Sequence, residues 1–386
     1  MRIAFYAPLK PPSHPVPSGD RRMARLLMRA WEKAGHGIEV ASRLRSLERA
    51  GEPSRQAELA AIGAAHAARL LREYRRRPQA ERPAAWFTYH VYYKAPDWIG
   101  PSVAKALAIP YLIAEASIAG KRTQGAYALG HQGALAAVRA ADVIFTINPT
   151  DVAGLQQVAG RKTRFVDLPA FLDTSTYRGV LEQRDHLRRD MAERYKLDAG
   201  RIWLLSVAMM RPGDKLASYR MLGEALVQIL DLDWQLIVVG DGAARAEVAH
   251  ALAPVGEDRL RLVGAQSEAA LPAFYGAADL CAWPAINEAY GMALLEAQAA
   301  GLPVVAGNAG GVSTIVKSSI TGLLSRPGDG TGFARALRSL IEAPKRRQAM
   351  AQAALEKTPQ LHDIAVAAQI LDRALRQAVS AAVPEV

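Results

Sequence analysis

Only one cysteine, Cys281, occurs in the 386 residues, so the chain cannot close an internal disulfide. Metal sites built on several thiolates are excluded with it, and a reducing, cytoplasmic setting is expected. Long apolar runs are missing as well. Half of the residues are apolar (50%), yet no stretch approaches the roughly 20 residues of a membrane-spanning helix. The opening MRIAFYAPLKPP does not read as a signal peptide, because Pro8, Pro11 and Pro12 break its short apolar stretch. No D-x-D stands in a metal-binding context: Asp231-Leu232-Asp233 precedes Trp234 and reads as a helix-to-strand turn. VVGDG (Val238–Gly242) lacks the rest of a G-x-G-x-x-G, which argues against nicotinamide binding. Short-period repeats are absent.

Acidic residues are scarce in the first half alone. Residues 1–180 hold 26 Lys and Arg against 14 Asp and Glu, a balance of +12, while residues 181–386 hold 22 against 23, a balance of −1. Either the first half has a solvated basic face or it meets an anionic partner such as an acidic membrane surface. The run LLREYRRRPQAERP reads as a solvated helix face rather than a nucleic-acid site.

What is present alternates between strand and helix. RIAFYA is a buried parallel strand, RRMARLLMRAWEKAGHG repeats apolar residues at helical spacing with Gly35 as its stop, and IEVAS is the next strand. WFTYHVYY, PYLIAEAS and DVIFTIN read as further strands, and Gln132–Ala141 as a helix. A second array starts with IWLLSVA, followed by LASYRMLGEALVQIL, WQLIVVGDG, RLRLVGA, DLCAWP and PVVAG. HDIAVAAQILDRALRQAV reads as one helix near the end, and Met209 and Met210 read as core. The expected fold is α/β: two doubly wound Rossmann-like domains facing across a cleft. Their expected limits are 1–170 and 171–365, joined near Asp167–Tyr177, with a helix at about 366–386 returning to the first domain.

The segment NEAYGMALLEAQAAGLPVVAGNAGG (Asn287–Gly311) places Glu288 in a loop, Gly291 at a helix start, Glu296 in the second turn and Gly301 at the cap, with Pro303 blocking continuation. A helix N-terminus offers unpaired N–H groups to an anion, and Gly291 lets a phosphate approach. Glu296 is placed to accept two hydroxyl hydrogen bonds. Taken alone, the E-x7-E spacing fits a surface helix with two solvated glutamates better than a ligand site. In VAMMRPGDKLASY, Arg211 and Lys215 follow a strand end and fit either a solvated pair or two cations bracketing a diphosphate.

AWPAINEAYGMALLEAQAAGLPVVAGNAGGVSTIV resembles the donor-site signature of the retaining GT-B glycosyltransferases of family 4 in its E-x7-E pair, its GLPVVA strand and its Gly310-Gly311 turn. VVGDG and RLVGAQSEAALPAFYGAADLCAWP resemble the same family, as does AGHGIEV in the first array. The resemblance covers Leu204–Leu324 well and the first domain loosely. It implies transfer of a sugar from a UDP- or GDP-sugar to a glycan or lipid-linked acceptor, with retention and without a metal or other cofactor. By position it implies that Glu296 binds the donor ribose and Glu288 the donor sugar. Arg211 and Lys215 would hold the diphosphate with the N–H groups of Gly291 and Met292. Gly19 would approach the diphosphate, and Gly264 and Ala265 would face the base. The family's histidine position falls at Ala116, beside Glu115, and its glutamate after the double glycine is Thr314. The nearest remaining histidine, His90, is a candidate to line the cleft, against a histidine satisfied locally. The catalytic set expected is therefore Arg211, Lys215, Glu288 and His90. An isomerase of the nucleotide-sugar 2-epimerase kind and a non-catalytic partner subunit are the alternative readings.

Overall fold

The computed structural model describes residues 1–16 and 18–382. The chain forms two compact units: Met1–Pro169 together with the chain from Ile364 on, and Ala170–Asp363.

In the first unit six parallel strands are β1 (Arg2–Tyr6), β2 (Gly37–Val40), β3 (Ala85–Val91), β4 (Tyr111–Ala116), β5 (Val143–Thr146) and β6 (Arg164–Asp167), in the order β2-β1-β3-β4-β5-β6. Helices α1 (Gly19–Lys33), α2 (Pro53–Arg76), α3 (Gly100–Leu107), α4 (Ala128–Ala140) and α5 (Pro149–Gln156) connect them. The register pairs Ile3 with Ala85 and Phe87 with Leu112, which buries β1, β3 and β4 on both faces. Helix α1 starts where Ser18 Oγ accepts from the Arg21 N–H at 3.2 Å. It stops in a Schellman turn, with the N–H groups of Gly35 and His36 bonded to the carbonyls of Glu32 and Trp31. Its Trp31 packs edge-on against Phe87 at 5.4 Å.

The basic side chains of α1 and α2 are partly consumed by structure. Arg21 and Arg25 donate to the carbonyls of His14, Pro15 and Pro12 in the loop before α1. Arg77 is forked onto Glu39 and reaches Glu73. Leu26, Leu27, Trp31 and Leu70 are buried, so the exposed arginines of these helices have no apolar companions from that set.

In the second unit β7 (Ile202–Val207), β8 (Trp234–Val239), β9 (Leu260–Gly264), β10 (Leu280–Trp283), β11 (Val304–Gly307) and β12 (Gly322–Ser325) are ordered β12-β11-β10-β7-β8-β9. They are connected or flanked by α6 (Arg184–Tyr195), α7 (Asp214–Val227), α8 (Arg245–Leu252), α9 (Leu271–Ala277), α10 (Met292–Ala299), α11 (Val312–Ile315), α12 (Gly330–Ile341) and α13 (Pro344–His362). Helix α14 (Ile364–Ala382) packs on α1 in the first unit, where His36 Nε2 lies 2.9 Å from Asp372 Oδ1. The last four residues of the helix expected over about 366–386 lie outside the described residues.

The structure departs from the sequence reading in four places. The stretch from His362 is not one helix: α13 ends at His362 and Asp363 is extended, with its carboxylate accepting from the N–H and hydroxyl of Thr174. Met210 is buried, but Met209 is 43% exposed. The edge strands β6 and β12, each four residues long, carry no strand pattern in the sequence reading. The α4 helix begins at Ala128 rather than Gln132.

Strand order reverses beside β1 in the first sheet, between β1 and β3, and beside β7 in the second, between β7 and β10. Ligands of open α/β sheets bind outside the carboxyl ends of strands at such switch points. His90 stands at the end of β3, Arg211 follows β7, and Glu288 follows β10.

Candidate functional site

In the second unit the loop after β10 is stitched to the first turn of α7. The Ile286 N–H donates to Ser218 Oγ at 3.0 Å, and Asn287 Nδ2 donates to Asp214 Oδ2 at 2.9 Å. Lys215 Nζ donates to Glu288 Oε2, and Trp283 Nε1 reaches the same oxygen at 3.2 Å. The Lys215 ammonium also lies 5.3 Å from the centre of the Trp283 ring. Ala285 and Asn287 have φ of 56° and 51°, a left-handed backbone held only because its surroundings determine it.

Two helices begin here, α7 after Gly213 and α10 after Gly291, and neither has a side-chain cap. The Leu216 N–H is taken by the Arg211 carbonyl and the Leu294 N–H by that of Gly291, which among the described residues leaves the N–H groups of Asp214, Lys215, Met292 and Ala293 available to an anion. Gly291 has φ 75°, which a side chain would disfavour. Gly310, φ 53°, lies against the Glu288 carbonyl, and the Gly311 N–H donates to the Ala289 carbonyl at 3.0 Å. The double glycine thus braces the Glu288 loop. Thr314 Oγ1 turns back to the Gly311 carbonyl at 2.6 Å.

Four of the expected residues, Lys215, Glu288, Gly291 and Met292, come together at this edge. Arg211 lies in the same loop region, exposed, and its guanidinium has no partner among the described residues. The charge balance differs from that of two free cations, because Glu288 neutralises Lys215. Glu296 is 2% exposed in α10 and accepts from the Tyr275 hydroxyl at 2.8 Å. Burial, reinforced by the Glu296 carboxylate, pushes the Tyr275 phenol well above its ordinary range. Gly264 ends β9 with φ 75° and accepts the Gly240 N–H at 2.9 Å, and Ala265 is exposed beside it. A cavity lined by Arg184, Asp279, Pro303 and Arg347 lies at the amino ends of β10 and β11, where Asp279 is already paired with Arg184 and Arg188.

In the first unit His90 and Glu115 both have left-handed backbone, φ 63° and 60°, at the ends of adjacent strands. His90 Nδ1 lies 3.2 Å from Asp20 Oδ1 in the first turn of α1 and 3.5 Å from Glu115 Oε1. Burial opposes charging of His90, but Glu115, Asp20 and Asp151 outweigh it and raise its pKa. Asp20 is held below its ordinary value: burial acts against this, and the bond to His90 and its charge prevail. Gly19 starts α1 with open space where a Cβ would point, so no packing contact requires glycine there. Ala116 is buried in β4.

Sequence reasoning did not find Trp283, Tyr275, Asp214 and Asn287 around the first cluster, or Asp20 and Asp151 around His90. Asp20, directly after Gly19 at a helix start, was the one with a local signal.

The paired sheets and their switch points define the α/β class, and solved structures place it among GT-B folds. A sucrose-phosphate synthase from Thermosynechococcus elongatus superposes with a TM-score of 0.71 at 19% identity, covering 98% of this chain and 99% of the other. The Anabaena protein HepE in complex with UDP gives 0.71 at 16% identity, covering 98% and 100%. At the level of sequence, residues 205–357, inside the second unit, match the family model described as Glycosyl transferases group 1. A D-inositol 3-phosphate glycosyltransferase of Salinispora tropica is 43% identical over 97 residues, 25% of this chain and 20% of the relative. Its counterpart in Corynebacterium aurimucosum is 35% identical over 155 residues, 39% and 37% of the two chains. The matches thus span about a fifth to over a third of those relatives.

Proposed function

We propose that the protein is a glycosyltransferase that takes a sugar from a nucleoside-diphosphate sugar, with retention and without a metal, and delivers it to a glycan or lipid-linked acceptor. The observation that carries this reading is the convergence of two uncapped helix starts, α7 and α10, at the switch point of the second sheet, with Arg211 beside them. That arrangement suits a diphosphate: the N–H groups donate to its oxygens and the helix dipoles favour its charge. Negative charge grows on the diphosphate as the sugar departs, so fixed donors there stabilise the transition state more than the ground state. Glu288, oriented by Lys215 and Trp283, is held to meet sugar hydroxyls, and Glu296 the ribose. UDP bound to the similar HepE fold and the group 1 match both support a nucleotide-sugar donor. Work at the cytoplasmic face of an anionic membrane is part of the proposal and rests on the basic first half.

The test is thermal unfolding with UDP, GDP, ADP and their sugars. A ligand at about a hundred times its dissociation constant stabilises the fold by roughly 2.7 kcal/mol. One nucleoside diphosphate raising the unfolding temperature, followed by sugar transfer from its sugar form, is the expected result. No shift with any of them overturns the reading.

A further inference from the structure

Beyond His90 the chain carries a line of rings that the donor chemistry does not use. The His90 and Tyr92 rings lie 5.1 Å apart, Tyr92 and Tyr93 5.5 Å, and Tyr93 and Tyr127 5.0 Å. Two cations sit on the far pair. Lys94 Nζ is 5.8 Å from the centre of Tyr93 and 5.2 Å from that of Tyr127, and the Arg122 guanidinium is 5.3 Å and 5.4 Å from the same rings. The Tyr127 hydroxyl donates to the Arg49 carbonyl, which ties a third basic segment to the line.

These cations are not balanced. Among the described residues neither Lys94 nor Arg122 pairs with a carboxylate. The Nε of Arg122 is buried and has no hydrogen-bond partner there. Asp97, three residues from Lys94, is occupied by Thr88, Tyr111 and the N–H groups of Ile99 and Gly100, and Glu48, whose N–H donates to the Lys94 carbonyl, by the N–H groups of Ala50, Gly51 and Glu52. Like charges gathered over aromatic faces, with a buried donor left over, cost stability unless an anion joins them. Tyr92 and Tyr93 stand at 77° to each other and Tyr93 and Tyr127 at 80°, so a saturated ring beside such an anion site meets one tyrosine face at a time.

We propose that the Tyr92–Tyr93–Tyr127 line, with Lys94 and Arg122, is the acceptor subsite and binds a carbohydrate carrying an oxyanion, phosphate or carboxylate. The sugar ring packs on a tyrosine face of the line, the oxyanion is held by Lys94 and Arg122, and His90 with Asp20 closes the other end of the line. The word acceptor rests on the glycosyltransferase reading; binding of the anion does not. The oxyanion belongs either to a free sugar phosphate or to a lipid-borne phosphate, and both present the same group to Lys94 and Arg122.

The test is calorimetry on the full chain with a saturating mixture of UDP, GDP and ADP, which fills any diphosphate site first. Glucose 6-phosphate, glucuronate and glucose are titrated in turn. In parallel, vesicles containing phosphatidic acid are compared with neutral phosphatidylcholine vesicles. The expected result is that glucose 6-phosphate or glucuronate binds at least about tenfold more tightly than glucose. That preference should fall by about tenfold or more in Arg122→Gln and in Lys94→Gln, as for loss of a charge-assisted hydrogen bond. Binding to phosphatidic acid vesicles alone, lost in the same variants, supports the proposal with a lipid-borne source. Equal binding of glucose and glucose 6-phosphate, together with vesicle binding indifferent to both variants, overturns it. Circular dichroism of both variants confirms folding, and Lys94→Arg, which keeps the charge, should retain the preference. The nucleotides are titrated into the chain before the sugars; no heat of nucleotide binding in that step defeats the donor reading, while the preference for glucose 6-phosphate or glucuronate over glucose still decides the anion site.

Discussion

Gly310 faces the carbonyl oxygen of Glu288 so closely that a Cβ on Gly310 would sit 2.0 Å from that oxygen. The same residue has φ 53°, where any side chain costs roughly 1–2 kcal/mol before contacts are counted. Gly310→Ala should therefore displace the Glu288 loop as well as weaken the unit. The expected outcome is an unfolding temperature lowered by several degrees and turnover reduced more than nucleotide affinity. A variant of unchanged stability and turnover would remove the bracing role.

The second prediction concerns the diphosphate. Arg211→Ala should lower turnover by about 10²–10³, the range for loss of one transition-state donor, and should change nucleoside monophosphate affinity far less. Lys215→Ala acts in two ways, since it also leaves Glu288 without its cation. In a double-mutant cycle, Lys215→Ala and Glu288→Gln should therefore be strongly non-additive. Additive effects would mean that the pair does not work as a unit. Activity should persist in EDTA, and an absolute need for Mg²⁺ or Mn²⁺ would refute the metal-free clamp.

Glu296 supplies a third test, which its burial constrains. Glu296→Ala would strand the Tyr275 hydroxyl and confuse stability with binding. Glu296→Gln keeps an acceptor oxygen for Tyr275 but removes the charge. Its nucleotide affinity should fall by roughly 1.5–3 kcal/mol, the worth of a hydrogen bond to a charged group, and the nucleoside and its diphosphate should lose equally. Unchanged affinity in the folded variant would sink the ribose assignment.

How much of this was legible in the sequence depends on what each feature needs. Gly291, Gly301 and Gly35 could be placed because helix ends are written locally, in a glycine after an apolar helical run. The strands β1, β7, β8 and β10 are mostly apolar and largely buried, so their pattern sufficed. The edge strands β6 and β12 did not stand out, because RFVD and GLLS are short and only partly buried. Contacts across the chain were not legible at all. Asp20 meets His90 over 70 residues, and Lys215 meets Glu288 over 73. For that reason the sequence alone leaves Lys215 beside Arg211 as a solvated pair or as two cations on a diphosphate, with no sign of Glu288. The resemblance ordered the donor-side candidates, but the neutralising pair follows from tertiary packing alone.

A fourth prediction concerns the basic surface of α2. Arg72, Arg75 and Arg76 are exposed, whereas Arg77 is held by Glu39 and Glu73. An acidic leaflet attracts each nearby cation by roughly 1 kcal/mol, and salt screens it. The chain should pellet with anionic but not neutral vesicles at low salt, and Arg75→Glu with Arg76→Glu should abolish this. Changing Arg77 instead should cost stability through Glu39. Equal pelleting with both vesicle types, or none with either, would dismiss the membrane surface.

The last prediction follows the His90–Asp20 pair through pH. His90 is faced by Asp20 from α1, Glu115 from β4 and Asp151 from α5, with Tyr89 and Tyr92 beside it on its own segment and Lys10 acting on Asp20. Its folded pKa is raised above the ordinary value of about 6.5. The stability it contributes is fully present below that ordinary value and is lost as pH rises through the folded pKa. Asp20 has the opposite sign: its folded pKa is lowered, so its contribution holds above the ordinary carboxylate value and is lost as pH falls through the depressed one. The ion pair is thus intact between Asp20's depressed pKa and His90's elevated one. The stability difference between wild type and His90→Gln should shrink as pH climbs past that upper limit. Proton NMR of the His90 ring should place its midpoint above that of an ordinary histidine, and Asp20→Asn should move it down. A midpoint at or below the ordinary value in the wild type would show that burial outweighs the three carboxylates, and the pair would not carry charge at neutral pH.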